Sequence, residues 1–262
     1  MPLKLFYRKY GEGKPVFILH GLFGQCDNWQ TQAKMIAEHG YAVYTIDQRN
    51  HGLSPHSNEW NYKAMSDDVY ELAQEINAEK IILLGHSMGG KTAMHFAIDH
   101  PEKIEKLIVV DIAPKYYPPH HQRIIEGLTA VDFNVVKTRK EVEVILSNYI
   151  NDNGSRQFLL KNIYWKDDNT LAWRFNLEVI AKNIEVIGQE NVLSNLQINS
   201  SSNYQTLFIR GEKSNYILDS DFPGIQTIFK NAELETIAGA GHWVHADKPK
   251  EFVDKVLGFI KS

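Results

Sequence analysis

The segment Lys80-Ile81-Ile82-Leu83-Leu84-Gly85-His86-Ser87-Met88-Gly89-Gly90 constrains the fold more than any other stretch of this chain. Its Ile/Leu run reads as a strand buried on both faces, and Lys91-Thr92-Ala93-Met94 opens a helix. Between them lies G-x-S-x-G, the sharp strand-to-helix turn that exposes a serine hydroxyl at a sheet edge. Such a turn leaves no room for side chains two residues before and after the serine, and Gly85 and Gly89 meet that demand. The segment therefore predicts a parallel sheet flanked by helices and makes Ser87 a candidate nucleophile. The plainer alternative, a glycine-lined turn with an idle serine, does not account for the strand before it and the helix after it.

The rest of the chain repeats the strand–helix alternation. Leu3 to Tyr10, Pro15 to Leu19, Tyr41 to Ile46 and Lys106 to Asp111 read as strands; Trp29 to His39, Met65 to Ile76 and Met88 to Ala97 have helical spacing. The alternation then breaks. Between Tyr116 and about Asn203 the spacing predicts helices at Gln122 to Val131, Glu141 to Ile150, Arg156 to Ile163 and Leu177 to Ile187, with no comparable buried strand. Sheet strands resume at Thr206 to Arg210 and Glu233 to Ile237, before a closing helix at Lys250 to Ile260. The expected organisation is a core domain of residues 1–114 and 204–262 with a helical cap, 115–203, inserted over the C-terminal edge of the strands.

Composition excludes several classes. At 262 residues, with a formal net charge of −4, the chain has no basic bias that would mark a nucleic-acid partner. No apolar run approaches membrane-spanning length, and Met1 to Tyr10 carries Lys4, Arg8 and Lys9 without the apolar core of a secretory leader. Cys26 is the sole cysteine, so no disulfide forms within the chain, and a cytoplasmic location is expected. The oligomeric state is left open.

A serine hydroxyl needs a base and an orienting acid to act as a nucleophile. His242, in Ala238-Gly239-Ala240-Gly241-His242-Trp243 after the last strand, is the best-placed base. His245 has a lesser claim, and His86 is expected to pack or hydrogen-bond within the turn. His120-His121 could suggest a metal, but adjacent residues rarely converge on one ion and no acidic or cysteine cluster lies nearby. No metal or organic cofactor is expected. For the acid, the loop after Thr206 to Arg210 is the ordinary place, yet it reads Gly211-Glu212-Lys213-Ser214-Asn215, with Ser214 where an aspartate would stand. Glu212 is too near the strand, and Asp219 and Asp221 are too far along. Asp111, closing the strand next after that of Ser87, is the preferred acid, against a plain turn-forming role before Ala113-Pro114. Backbone donors for an oxyanion are expected from Met88 and from Leu22, with Phe23 the lesser choice for the second.

With His20-Gly21-Leu22-Phe23-Gly24, Asp47-x-Arg49-Asn50-His51-Gly52-x-Ser54, Gly85 to Lys91, Asp111-Ile112-Ala113-Pro114 and Gly241-His242, the chain resembles the α/β-hydrolases, and within them the YbfF-type bacterial esterases. The resemblance covers the sheet domain. It implies a carboxylesterase or acyl-thioesterase acting on short to medium acyl chains, with the triad acid on the earlier strand; the small-molecule acyl ester or thioester is then the expected partner. The Asp47-to-Ser54 stretch is expected to be a structural turn. Phe23, Tyr116, Trp165 and Trp243 are candidate substrate-binding residues, and the cap aromatics Tyr116, Tyr117, Trp165, Trp173 and Phe175 suggest an apolar acyl pocket or, equally, cap core.

Two other activities share the same three residue types: C–C bond hydrolysis and a menaquinone-pathway-type lyase reaction. Both use anionic substrates and would place arginines in the cavity, from among Arg123, Arg139, Arg156 and Arg174. A non-catalytic binding protein on the same scaffold is the remaining class.

Overall fold

A computed structural model of the chain describes residues 1–118, 121–167, 169–188 and 204–262. His120 and the expected end of the cap at residue 203 lie outside the described residues. A seven-stranded sheet runs in the order β1 (Tyr7–Tyr10), β3 (Tyr41–Ile46), β2 (Lys14–Leu19), β4 (Ile81–His86), β5 (Ile104–Val110), β8 (Gln205–Gly211), β9 (Ala232–Ile237). Only β1 is antiparallel to its neighbour; every other pairing is parallel. The sheet is thus the mostly parallel α/β-hydrolase architecture expected.

The all-apolar strands are explained by what lies on each face. Phe17, Leu19 and Leu83 point into one core with Val69 and Leu72 of α2 (Tyr62–Glu75) and Met94 and Phe96 of α3 (Met88–Asp99). Val16, Ile18 and Leu84 point into the other core with Ala33 and Ile36 of α1 (Gln30–Ala37) and with Phe252, Val253 and Val256 of the C-terminal helix (Pro249–Lys261). A strand covered on both sides has no wet face and so shows no alternation. Asn61 starts α2 by accepting the Ala64 N–H, a cap that the apolar spacing did not reveal, so the helix begins three residues before the expected Met65.

Among its described residues, the block between β5 and β8 carries five short helices, α4 (Gln122–Thr129), α5 (Arg139–Ser147), α6 (Asn153–Leu160), α7 (Leu177–Lys182) and α8 (Ile184–Gly188). It also holds an antiparallel hairpin, β6 (Ile163–Asp167) with β7 (Thr170–Trp173), where no strand was expected. The helix expected to reach Ile163 ends at Leu160, and Thr170 to Trp173 alternate half-buried and buried side chains, the period of a strand. The block has its own apolar core, in which Leu128, Leu146, Ile180 and Phe175 pack down onto Phe23, Tyr62, Met65 and Met88 of the sheet domain.

Lys91 ties the block to the helix that follows Ser87. Its buried Nζ donates to the carbonyls of Lys115 (2.9 Å) and Gly188 (3.3 Å), and the Tyr117 N–H donates to the same Gly188 carbonyl (2.8 Å). Among the described residues, no helix is long and apolar enough to cross a membrane.

Candidate active site

The turn after β4 has the geometry its sequence demands. Ser87 sits at φ 52°, ψ −117°, a strained conformation for a residue with a side chain. A Cβ at position 85 would collide with the Gly89 carbonyl, and one at position 89 with the carbonyls of Leu19 and His20. Five described non-glycine residues have positive φ, and three of them, Phe23, Ser87 and Asp111, belong to loops that meet at the C-terminal edge of the sheet. Strain held in this way, about 1–3 kcal/mol at each position, persists where the surroundings over-determine the backbone.

These loops converge on one hydrogen-bonded chain. His242 Nε2 lies 3.1 Å from Ser87 Oγ, and His242 Nδ1 lies 2.7 Å from Asp111 Oδ2. With Nδ1–H donated to the carboxylate, Nε2 is left to accept from the serine. Asp111 is wholly buried, a position tolerable for a carboxylate only when its oxygens are hydrogen-bonded. The Gly211 N–H donates to Oδ1 (3.2 Å), and the Ser214 hydroxyl donates to Oδ2. Ser214 thus occupies the ordinary acid position as a donor to the acid on the neighbouring strand. The other carboxylates are engaged elsewhere: Asp219 with Arg210 (2.5 Å), Asp221 with Lys115 (2.6 Å) and Glu212 with the Gly239 N–H (2.7 Å).

The imidazole is fixed by further contacts. The Tyr216 ring stacks on His242 with centroids 4.0 Å apart and planes at 20°. Tyr216 is itself held by the Tyr117 hydroxyl, which donates to its carbonyl (2.5 Å) and accepts from the Ala113 N–H (2.8 Å); burial raises the Tyr216 phenol to about 12. His86, expected to pack or hydrogen-bond within the turn, packs against Trp29 and His245 and donates Nε2–H outside the turn, to the His242 carbonyl (2.8 Å). Burial drives its pKa well below the ordinary 6.5, with the neighbouring imidazoles adding to the effect, so it is a neutral donor. His245 is a buried structural residue, stacked on Trp29 at 3.9 Å, and burial lowers it to about 3. Tyr216 carries no motif, and nothing in sequence spacing pointed to it.

Two cavities meet at Ser87. The larger, of about 600 Å³, is lined by His242, Trp243 and Leu22 together with Phe158, Gln157 and Lys161 from the inserted block. The smaller, of about 20 Å³, is lined by Leu22, Met88, Ile112, Ile184 and Ile187. Leu22 and Met88 therefore flank the serine, and Met88, as the first residue of α3, has an N–H with no partner inside the helix. A third hollow, between Lys14, Tyr44 and Glu79, is a surface groove at the opposite ends of the strands and contains none of these groups.

Of the candidate substrate-binding residues, Trp243 and Phe23 line the large cavity, although the Phe23 ring is spent on packing against Phe175 (4.9 Å). Tyr116 and Trp165 line neither cavity and are 52% and 58% exposed. The expectation for these two is corrected. Exposure rises along β6 from buried Ile163 to Lys166, so Trp165 rides out toward the hairpin tip, and next to Tyr116 it is Tyr117 that turns inward. Trp173 and Phe175, stacked at 5.3 Å, are core of the inserted block.

None of the four arginines weighed for an anionic substrate lines either cavity. Arg123 pairs with Glu126, Arg139 donates to the Ile163 carbonyl, Arg156 to the carbonyls of Ile150 and Asn151, and Arg174 lies over the Tyr164 ring. His121 lines both cavities, and no group of three His, Cys, Asp or Glu side chains among the described residues is arranged to hold a metal ion. The Asp47-to-Ser54 stretch is a buried brace: Asp47 accepts from the Cys26 and Leu53 N–H groups, Arg49 forms a two-pronged pair with Asp68 (2.7 and 2.9 Å), and Asn50 accepts from Asn176 of the inserted block.

Comparison with known proteins agrees with this geometry. The family pattern described as alpha/beta hydrolase fold matches residues 14–141. The chain is 37% identical over 257 residues to an sn-1-specific diacylglycerol lipase of Xenopus laevis, covering 95% of this chain and 80% of that one. It is 34% identical over 250 residues to esterase YbfF of Escherichia coli, covering 94% and 91%. A solved marine microorganism esterase superimposes with a TM-score of 0.93 at 46% identity, covering 98% and 99%. Relatedness across nearly the whole chain, joined to the strained serine turn and the sheet order, places this protein in the α/β-hydrolase family.

Proposed function

We propose that this protein is a serine hydrolase that cleaves carboxylic esters or acyl thioesters through an acyl-enzyme on Ser87. The observation that carries the reading is the unbroken chain from Ser87 Oγ through His242 to Asp111, ending at two cavities. His242 Nε2 takes the Ser87 proton as Oγ attacks the acyl carbon, and Asp111 holds the imidazole in the required tautomer. The amides of Leu22 and Met88 receive the oxyanion; each such donor is worth on the order of 10²–10³ in turnover. His242 then gives the proton to the departing oxygen or sulfur. Water attacks the acyl-enzyme with His242 again as base, and the acid is released.

In this reading residues 115–203 form a cap over a catalytic core of 1–114 and 204–262, and Trp243 with Phe158 (ring centroids 5.4 Å apart) supplies an apolar wall for substrate. A cytoplasmic setting fits the single, buried, unpaired Cys26. Anionic C–C or lyase substrates are disfavoured because the cap arginines are engaged outside the cavities. The test is Ser87→Ala, assayed on p-nitrophenyl acetate with the fold checked by circular dichroism. Loss of turnover in a folded protein is expected; retained turnover removes Ser87 from the role.

A further inference from the structure

Resting on the acyl-enzyme reading, we infer that the two cavities divide the substrate unequally. The small recess takes the acyl group and the large chamber takes the leaving alcohol or thiol, which makes the protein selective for short acyl groups on bulky leaving groups.

The division follows from which residues line which space. His242 lines the large chamber and not the small recess, whereas Met88, a proposed oxyanion donor, lines the small recess and not the large chamber. Ser87 and Leu22 are shared, with Tyr216 and His121 beside them, as expected for the point where the acyl carbon must sit. When the tetrahedral intermediate collapses, the bond from the acyl carbon to the leaving oxygen breaks and its electron pair takes the proton that His242 Nε2 received from Ser87. The leaving oxygen must therefore lie on the His242 side, so the group attached to it extends into the chamber that His242 lines. With the carbonyl oxygen between the Leu22 and Met88 amides, the acyl substituent is left with the recess beyond Met88.

Size then sets the specificity. The recess, about 20 Å³ walled by Ile112, Ile184 and Ile187, offers room for one or two water-sized groups. That fits an acetyl or propionyl chain and is narrower than the short-to-medium range implied by family resemblance. The chamber, about 600 Å³, is some thirtyfold larger. Its inner wall is apolar (Trp243, Phe158) while Asn28, Gln157, Lys161 and Asp247 also line it, so it suits a large leaving group carrying both apolar and hydrogen-bonding parts.

The experiment compares kcat/KM for p-nitrophenyl acetate, butyrate and octanoate, and for acetate esters of ethanol, benzyl alcohol and 1-naphthol. The expected result is a fall of at least about 100-fold from acetate to octanoate, since even two poorly placed methylenes cost roughly tenfold each, with the bulky acetates cleaved at least as well as ethyl acetate. Ile187→Ala, or Ile184→Ala if the first variant does not fold, should narrow the acetate-to-octanoate ratio by about tenfold or more. Octanoate cleaved as well as acetate by the wild type overturns the inference. So does an unchanged ratio in folded Ile187→Ala, which would remove the recess as the acyl site. Cleavage that survives Ser87→Ala instead overturns the acyl-enzyme reading itself, whatever the chain-length profile.

Discussion

Ser214 and His242 converge on one atom: the Ser214 hydroxyl and His242 Nδ1 both bond to Asp111 Oδ2. The carboxylate is thereby held from the β8 side and from the loop after β9 at once, and its rotation about the side-chain bonds is removed. Replacing Asp111 with Asn should cost on the order of 10⁴ in kcat, because the amide would favour the wrong imidazole tautomer. Ser214→Ala removes one hydrogen bond to a charged group, about 1.5–3 kcal/mol, and should lower kcat by about ten- to a hundredfold with KM little changed. Steady-state kinetics on p-nitrophenyl acetate decide it; a Ser214→Ala enzyme with wild-type kcat would mean that Gly211 alone fixes the acid.

Buried neutral histidines should make the fold acid-sensitive. Burial lowers His20 to about 4 and His51 and His245 to about 3, and lowers His86 strongly. Below the ordinary pKa of 6.5 the unfolded chain binds protons on these imidazoles that the folded chain does not, so stability falls as pH falls from 6.5 toward the folded values. Each contributes up to about 1.4 kcal/mol per pH unit, and the four together amount to a loss on the order of 4 kcal/mol between pH 7.5 and 5.5. Burial also raises Asp47 and Asp68, which acts in the opposite sense, but from their ordinary 3.8 that stabilisation is complete only at lower pH. Urea denaturation at pH 7.5, 6.5 and 5.5 should show the midpoint dropping; a constant midpoint would contradict the burial of these side chains.

The Arg49–Asp68 pair is a stability element remote from Ser87. Both side chains are 1% exposed and joined by two hydrogen bonds. Asp68→Ala leaves a buried guanidinium without its main partner and should destabilise by about 3–5 kcal/mol. Thermal unfolding should show a lower midpoint, while kcat per folded molecule at low temperature stays near wild type. A large kcat loss without a stability change would show that this brace reaches the site.

Trp165 and Trp243 separate surface from site. Trp165→Ala should leave kcat/KM within about twofold, because a surface substitution seldom matters by more than 0.5 kcal/mol. Trp243→Ala removes a cavity wall and should lower kcat/KM for naphthyl acetate by about tenfold or more, from the 1–3 kcal/mol scale of lost apolar contact. Equal effects from the two would return Trp165 to the substrate path.

What was legible from sequence follows from what leaves a local mark. Two-sided burial wrote β2, β4 and β5 as continuous apolar runs, and the collision of any Cβ at positions 85 and 89 with neighbouring carbonyls wrote the glycines of the turn. Asp111 was reached through Ser214, since a serine in the ordinary acid position leaves the adjacent strand end as the next carboxylate. Tyr216 and the His86–His242 bond were not legible, because they depend on how loops 26 and 156 residues apart in the chain meet in space. Trp165 misled for the same reason: an aromatic residue in the inserted block carries no sign of which way the block's hairpin faces.

Lys91 has a consequence for how such a chain can change over time. One ammonium holds the chain where it leaves the sheet at Lys115 and where it has come back at Gly188. What lies between those two carbonyls can lengthen, shorten or be replaced, provided that both ends still reach the same point, that Tyr117 still holds Tyr216, and that the apolar contacts on Phe23 and Met88 are kept. The protein is in this sense a socket with an exchangeable fitting: the bond-breaking groups stay with the socket, and the cavity walls supplied by Phe158, Ile184 and Ile187 travel with the fitting.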